Sequence, residues 1–353
     1  MSEHASLSAS AAHRWMNCPV APWREKEIPD SGSHAADEGS YAHAILHSLL
    51  TGDVFDKDDR FDTEAIMAHV EPIAARWLAM GGDILSEVEV PLKGVTGEDH
   101  NGTADIVLIQ GGVLHIADLK YGHRAVEVNN NLQLIIYALA ALDVVDNVEM
   151  VTLTIEQPRL GRTESVSYGV DEIETWRPVI AEKARRVFAR EGVATPGEAQ
   201  CHYCKVGSGC PERIAAVFDV VESKSLNECM LKVGMVEAWC KQVREDAMDA
   251  VMKGEVLPDF KVVEGREGNR DYVDKAAAEA ILATWRVPKR LTHRHEMLSA
   301  PKVVEVLKKF VPHRADKFAG MIHRAKGKPT LVPLADPRPA IVVGFETVNP
   351  EGK

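Results

Sequence analysis

The chain contains no apolar run near the roughly 20 residues that a bilayer core demands, which argues against a membrane span. Its start, MSEHASLSASAAHRW, lacks a basic stretch followed by a continuous apolar one, so no secretory leader is expected. Internal repeats and low-complexity tracts are also missing, and six cysteines in 353 residues are few. In the cytoplasmic compartment these absences point to, those cysteines read as thiols or metal ligands before disulfides. What remains is a globular composition, 45% hydrophobic and 27% charged, sufficient for one large domain with an appendage or for two domains.

A net charge of −12 on its own disfavours a nucleic-acid partner, because phosphate binding relies on Lys and Arg. The distribution says more. From Trp285 to Lys328 there are 12 basic residues (Arg286, Lys289, Arg290, Arg294, Lys302, Lys308, Lys309, Arg314, Lys317, Arg324, Lys326 and Lys328) against Glu296, Glu305 and Asp316. That segment carries +9 and leaves −21 for the rest of the chain. Such asymmetry suggests a basic surface that meets a polyanion, with a solvated helical face as the competing reading.

Periodicity gives a coarse order of elements. Residues 6–16 read as a short helix or turn, 27–38 as loop, 38–52 as a helix stopped at Gly52, and 63–80 as a second helix ended by Gly81-Gly82. Between them DVFDKDDRFD is an acidic loop whose spacing fits no calcium site. SEVEVPL (86–92), GTADIVLIQ (102–110) and VLHIADLK (113–120) then alternate as strands, the last two joined by the turn signal Gly111-Gly112. A helix over 129–145, a strand over 148–158 and an amphipathic helix over 171–191 follow. From about 226 the chain reads as mainly helical, with a short strand pair expected from DFKVVEG and IVVGFET.

Asp118 and Lys120 share one face at the end of their strand, because alternate residues of a strand point the same way. Asp105 lies in the preceding hairpin strand and is expected to pair near Asp118. Two carboxylates so close repel one another unless a cation sits between them, and Mg²⁺ or Mn²⁺ suits such a donor set. A lysine beside an ion-bound water suits phosphodiester hydrolysis. The competing reading of Asp-x-Lys alone is a surface ion pair. Gln133 and Tyr137, at i and i+4 of the next helix, lie on one face of it.

These pieces together resemble the PD-(D/E)XK nucleases of the RecB-like branch. The likeness lies in GSYAH at 39–43, GTAD at 102–105, ADLK at 117–120 and QLIIY at 133–137, with Ser40 where threonine is usual. It implies an α/β fold, a restriction-endonuclease-like mixed sheet flanked by helices. His43, Asp105, Asp118 and the Leu119 carbonyl would hold the divalent ion, Lys120 would position the attacking water, and Gln133 and Tyr137 would support Lys120 or touch the substrate backbone.

CHYCKVGSGCP places Cys201, Cys204 and Cys210 in a C-x₂-C-x₅-C run, one ligand short of a tetrahedral site. Cys18, His202, Cys229 and Cys240 are the candidates for the fourth, and zinc is a competent occupant. The resemblance extends to the AddB-type nucleases, where one cysteine before the core and three after it hold a [4Fe-4S] cluster. It therefore implies Cys18, Cys201, Cys204 and Cys210 as cluster ligands, with Zn²⁺ as the alternative. SASAAHRWMNCP, TIEQPRLG and EGREGNRDYVD are similar to an uncharacterised phage and prophage family of such nucleases.

The implied organisation is a nuclease domain with its cysteine cluster over 1–225 and a mainly helical basic domain over 226–353. The implied activity is metal-dependent DNA cleavage, as an exonuclease in phage recombination or replication. DNA, and a phage single-stranded-DNA-binding or annealing protein, are the implied partners; the oligomeric state is left open. The alternative is a catalytically inactive nucleic-acid-binding module stabilised by an iron-sulfur or zinc site.

Overall fold

Gly111 and Gly112 both adopt positive φ, +56° and +77°, in the computed structural model of the chain. That is what a two-residue hairpin turn requires and what glycine reaches without a Cβ clash. The structure describes residues 7–29, 32–223, 225–265, 270–293, 297–324, 327–333 and 336–341. The chain divides into two compact units, Met1–Gln242 and Val243–Lys353.

A 3-10 turn leads into α1 (Ala12–Trp15), α2 (Ala21–Lys26) and two long helices, α3 (His34–Thr51) and α4 (Thr63–Met80). β1 (Asp83–Pro91), the short α5 (Lys93–Thr96), β2 (Asn101–Gln110), β3 (Val113–Leu119), α6 (Leu132–Leu142), β4 (Met150–Gln157) and β5 (Arg162–Gly169) come next. Then follow α7 (Val170–Glu174), α8 (Trp176–Phe188), α9 (Glu198–Cys201), α10 (Pro211–Glu222) and the long α11 (Leu226–Met252).

The five strands form one mixed sheet in the order β1-β2-β3-β4-β5. β3 and β4 are parallel, with α6 in the connection between them, and the other pairs are antiparallel. Alternation along the strands splits the core in two. Ile106, Leu108, Ala117 and Leu119 pack with Tyr41, Ile45 and Leu46 of α3 and Ile66, Val70 and Trp77 of α4. Val107, Leu114, Ile116 and Leu153 pack with α6, whose residues from Leu134 to Ala141 are all buried. A helix buried all round derives its stability from packing, so truncating one of its leucines to alanine costs about 2–5 kcal/mol.

Local chemistry explains where elements begin and break. Ser33 caps α3 by accepting from the Ala36 amide at 3.1 Å, so the helix starts at His34, inside the stretch read as loop. Asp62 caps α4 in the same way, and Asn131 caps α6. The single helix expected over 171–191 is two, because Pro178 has no N–H to offer the Glu174 carbonyl. β5 was not legible in the sequence: RTESVSYG alternates in exposure, but its residues are mostly polar, as an edge strand tolerates.

The second unit contains β6 (Phe260–Gly265), β7 (Arg270–Tyr272), α12 (Lys275–Thr284), α13 (Lys289–Thr292), α14 (Ala300–Phe310), α15 (Pro312–Ala319), β8 (Ile322–Arg324) and β9 (Gly327–Pro333). Its core gathers Leu282, Val303, Leu307 and Phe318, and the Tyr272 hydroxyl donates to the Leu298 carbonyl at 2.6 Å. β6 pairs with β9 instead of with the expected IVVGFET segment alone. That segment touches β6 where the Ile341 amide donates to the Val262 carbonyl at 2.7 Å; residues 342–347 lie outside the described residues. Lys289, Arg290, Lys302, Lys308, Lys309 and Lys317 are exposed, while Arg314 lies over the Trp285 ring. Arg294, Glu296 and Lys326 fall outside the described residues, as do the side chains of Arg324 and Lys328.

Candidate metal centre

Three acids stand in a row across neighbouring strands. The pairs Ser86↔Ile106 and Val88↔Ala104 bracket Glu87 and set it opposite Asp105. The next step of the β2–β3 ladder beyond Ile106↔Ala117 sets Asp105 opposite Asp118. Residues opposite one another in antiparallel strands share a face, so the three carboxylates converge where the β2–β3 hairpin opens. Glu87 holds φ +50°, a left-handed conformation that costs a non-glycine residue about 1–3 kcal/mol. Such strain persists where surrounding structure enforces it, and here it re-aims an acid.

His43 reaches this row from α3. Its Nδ1 lies 3.3 Å from Glu87 Oε1 and 3.4 Å from Asp105 Oδ2, and its Nε2 is 3.0 Å from the Leu119 carbonyl. The donor atoms of His43, Glu87 and Asp105 all fall within 4.8 Å of one another, close enough for a single ion to meet all three. Asp105 Oδ2 also accepts from the Leu119 amide at 2.7 Å, which ties β2 to the end of β3.

Asp118 belongs to a second, linked set. Gln133 Nε2 donates to Asp118 Oδ1 at 2.6 Å, and Lys120 Nζ donates to Gln133 Oε1 at 2.9 Å. Lys120 Nζ stands 2.8 Å from Asp118 Oδ2 as an ion pair rather than an aligned hydrogen bond. Tyr137, one turn beyond Gln133, packs its ring against Gly102: a Cβ there would meet the ring at 2.8 Å. The glycine that opens GTAD is thus the space that admits Tyr137.

Of the residues singled out in the sequence, His43, Asp105 and the Leu119 carbonyl come together, and Asp118, Lys120 and Gln133 form the adjoining set, with Tyr137 behind it. Glu87 was missed. Its signal was present as an acid in an alternating strand next to the hairpin, but its place depends on the β1–β2 register and on its own positive φ.

Electrostatics follow from this crowding. Burial pushes the Asp118 carboxyl above the usual range and the nearby Asp105 adds to the rise, while Lys120 opposes it. Burial works against the Lys120 ammonium, yet Asp118 outweighs it and the net shift is upward. Burial likewise works against the His43 imidazolium, but hydrogen bonds to Asp105 and Glu87 prevail and lift it to about 10. Tyr137 is pushed up by burial and by the two aspartates, so it remains a phenol.

Both sets lie along a groove of about 1440 Å³, whose lining includes His43, Glu87, Lys120 and Gln133 together with Arg124 and Tyr203. Gln157, fully buried, shapes the rim: its Nε2 donates to the Arg124 carbonyl at 2.8 Å and its Oε1 accepts from the Val126 amide at 2.9 Å. Neighbouring Glu156 is also buried, accepting from Trp77 Nε1 at 2.9 Å and from Thr163 at 2.7 Å while pairing with Arg76.

Cys18, Cys201, Cys204 and Cys210 line one small cavity, and all four are free thiols. Cys18 is therefore the fourth donor at hand; Cys229 instead faces the Val220 carbonyl, and His202 lines the groove. The Gly197 amide donates to Cys201 Sγ at 3.4 Å, and Arg24 Nη1, clamped by Glu212 at 2.6 Å, approaches Cys210 Sγ at 3.7 Å. Among the described residues the group of three metal-type donors within 4.8 Å is the His43 set, so the cysteines stand wider apart. A single zinc would hold its sulfurs about 3.8 Å from one another at Zn–S near 2.3 Å. Four thiols around one cavity are a donor set that a zinc ion or an iron–sulfur cluster can use.

No helix among the described residues is long and apolar enough to cross a membrane. The family described as "Protein of unknown function (DUF2800)" matches residues 4–71 and 63–339, and the chain belongs to it. Among solved structures it is similar to one titled "Crystal structure of SSO0001", at 16% identity and a TM-score of 0.32 over 60% of this chain and 88% of that one. A likeness so loose carries no functional argument.

Proposed function

We propose that this DUF2800 protein is a metal-dependent DNA nuclease of the PD-(D/E)XK superfamily, RecB-like branch, with the five-stranded sheet as its restriction-endonuclease-like core. The observation that carries the reading is the row Glu87–Asp105–Asp118, flanked by His43 on one side and Lys120 on the other, along a groove. Three carboxylates in so small a space need cationic partners, and a surface ion pair would not need this many. In this reading His43, Glu87, Asp105 and the Leu119 carbonyl hold Mg²⁺ or Mn²⁺. When bound, the ion supplies Lewis acidity toward the phosphate and a water of lowered pKa.

The remaining chemistry falls to the chain. Gln133 accepts one proton of the Lys120 ammonium and Asp118 holds the amine by charge, which leaves the ammonium able to donate to the attacking water or a phosphate oxygen. Gln133 fixes both Asp118 and Lys120, so the amine is aimed before substrate arrives. Tyr137 stays protonated behind Gln133 and confines it. The exposed lysines of the second unit would contact phosphates.

For the four cysteines we propose a [4Fe-4S] cluster over zinc, supported by the likeness to the AddB-type order of one cysteine before the core and three after it and by their meeting at one cavity. The reading places the protein in a bacterial host cytoplasm as an exonuclease of phage recombination or replication, working with a single-stranded-DNA-binding or annealing partner. End-labelled single- and double-stranded DNA incubated with Mn²⁺ tests it. Wild-type chain should shorten one of them from an end, while Lys120→Ala and Asp118→Ala should bind but not cut. Full activity in either variant overturns the mechanism.

A further inference from the structure

We infer that Arg213 is the internal counter-cation of the four-cysteine cavity, the residue that makes an anionic metal–thiolate centre there electrically tolerable. The inference rests on the proposal that the cavity holds such a centre. Arg213 lines that cavity and is only 1% exposed. Among the described residues no carboxylate pairs with it; its Nη1 makes a long 3.4 Å contact to the Gly207 carbonyl, and its Nε is buried without a partner. Arg24 offers the contrast, since it is partly exposed and doubly bonded to Glu212.

A buried guanidinium with no anion is among the least favourable placements a side chain can have. Its position adds a second penalty. Arg213 stands in the first turn of α10, where the helix dipole disfavours a cation. Both penalties disappear if the cavity carries negative charge. Four thiolates outweigh the charge of an iron–sulfur core, and equally that of a zinc ion, so either occupant leaves a net anion beside the guanidinium. The charge also acts in return: a cation held in low dielectric favours the more negative, reduced state of a redox centre.

The test uses the full chain purified anaerobically, in its loaded form and after oxidation and chelation. Iron, acid-labile sulfide and zinc per chain are measured, with denaturant midpoints for both forms and the reduction potential of the loaded one. Arg213→Met should raise the midpoint of the emptied chain, lower that of the loaded chain, speed metal loss to a chelator several-fold and shift the potential downward. Arg213→Lys should stay close to wild type. Equal lowering of both midpoints by Arg213→Met, with metal retention unchanged, would mark Arg213 as a packing residue and overturn the inference. Should Arg213→Met not fold, Arg213→Lys must retain metal where Arg213→Gln loses it; equal loss in the two also overturns it. A wild-type chain with neither iron nor zinc sinks the underlying proposal instead, a result read before any variant is made.

Discussion

Glu87 faces Asp105 across the β1–β2 ladder with its backbone at φ +50°, and the imidazole of His43 lies 3.3 Å from one acid and 3.4 Å from the other. The strained residue is thus the one that completes the donor set. Glu87→Gly should relieve the strain but remove one partner of the His43 imidazolium, leaving the stability of the ion-free protein within about 1 kcal/mol of wild type in urea unfolding at pH 7 while abolishing Mn²⁺-dependent cleavage. A loss of stability well beyond that, together with loss of cleavage, would mean that Glu87 serves the fold.

Lys120 and Asp118 should prove coupled. Lys120→Met leaves a buried carboxylate without its cation and should cost about 3 kcal/mol, whereas adding Asp118→Asn should recover most of that. A double-mutant cycle with a coupling energy near zero would dissolve the pair.

The imidazole of His43 sets a pH dependence. Its value is raised from 6.5 to about 10, so protonation stabilises the ion-free fold; that contribution is full below pH 6.5 and lost as pH climbs through 10. Thermal midpoints in chelator should fall across that window, and His43→Gln should flatten the fall. The same proton must leave before the ring can ligate, so Mn²⁺ affinity should rise with pH, by at most about tenfold per unit, with proton release detectable by calorimetry in buffers of different ionisation enthalpy.

Gly102→Ala places a methyl 2.8 Å from the Tyr137 ring, which cannot retreat far inside the core. A loss of about 1–3 kcal/mol is expected together with lowered cleavage, and Gly102→Ala/Tyr137→Leu should restore stability without restoring activity.

On the second unit, Lys302, Lys308 and Lys309 replaced by Gln should reduce the slope of log K against log salt for DNA by about 0.7–0.9 for each phosphate that is no longer neutralised. An unchanged slope would make this a solvated face.

Much of this arrangement was readable from residues alone because it is local. Gly111-Gly112 fixes a hairpin, the hairpin aligns Asp105 with Asp118, and Gln133 and Tyr137 share a helix face. What escaped depended on distant partners. Glu87 acquires meaning only through its register against Asp105, β5 because an edge strand can be polar, and Arg213 because sequence says nothing of which arginine loses water. Cys18 stood among four candidate ligands until the cavity brought it beside Cys201, Cys204 and Cys210.

That last grouping bears on the order of synthesis. Cys18 leaves the ribosome 192 residues ahead of Cys210, about ten to forty seconds at ordinary translation speed. Every residue of the carboxylate row and all five strands emerge within that interval. Whatever the four thiols grip, they can only latch a sheet that has already had time to assemble, so the latch finishes the nascent fold and cannot be its seed.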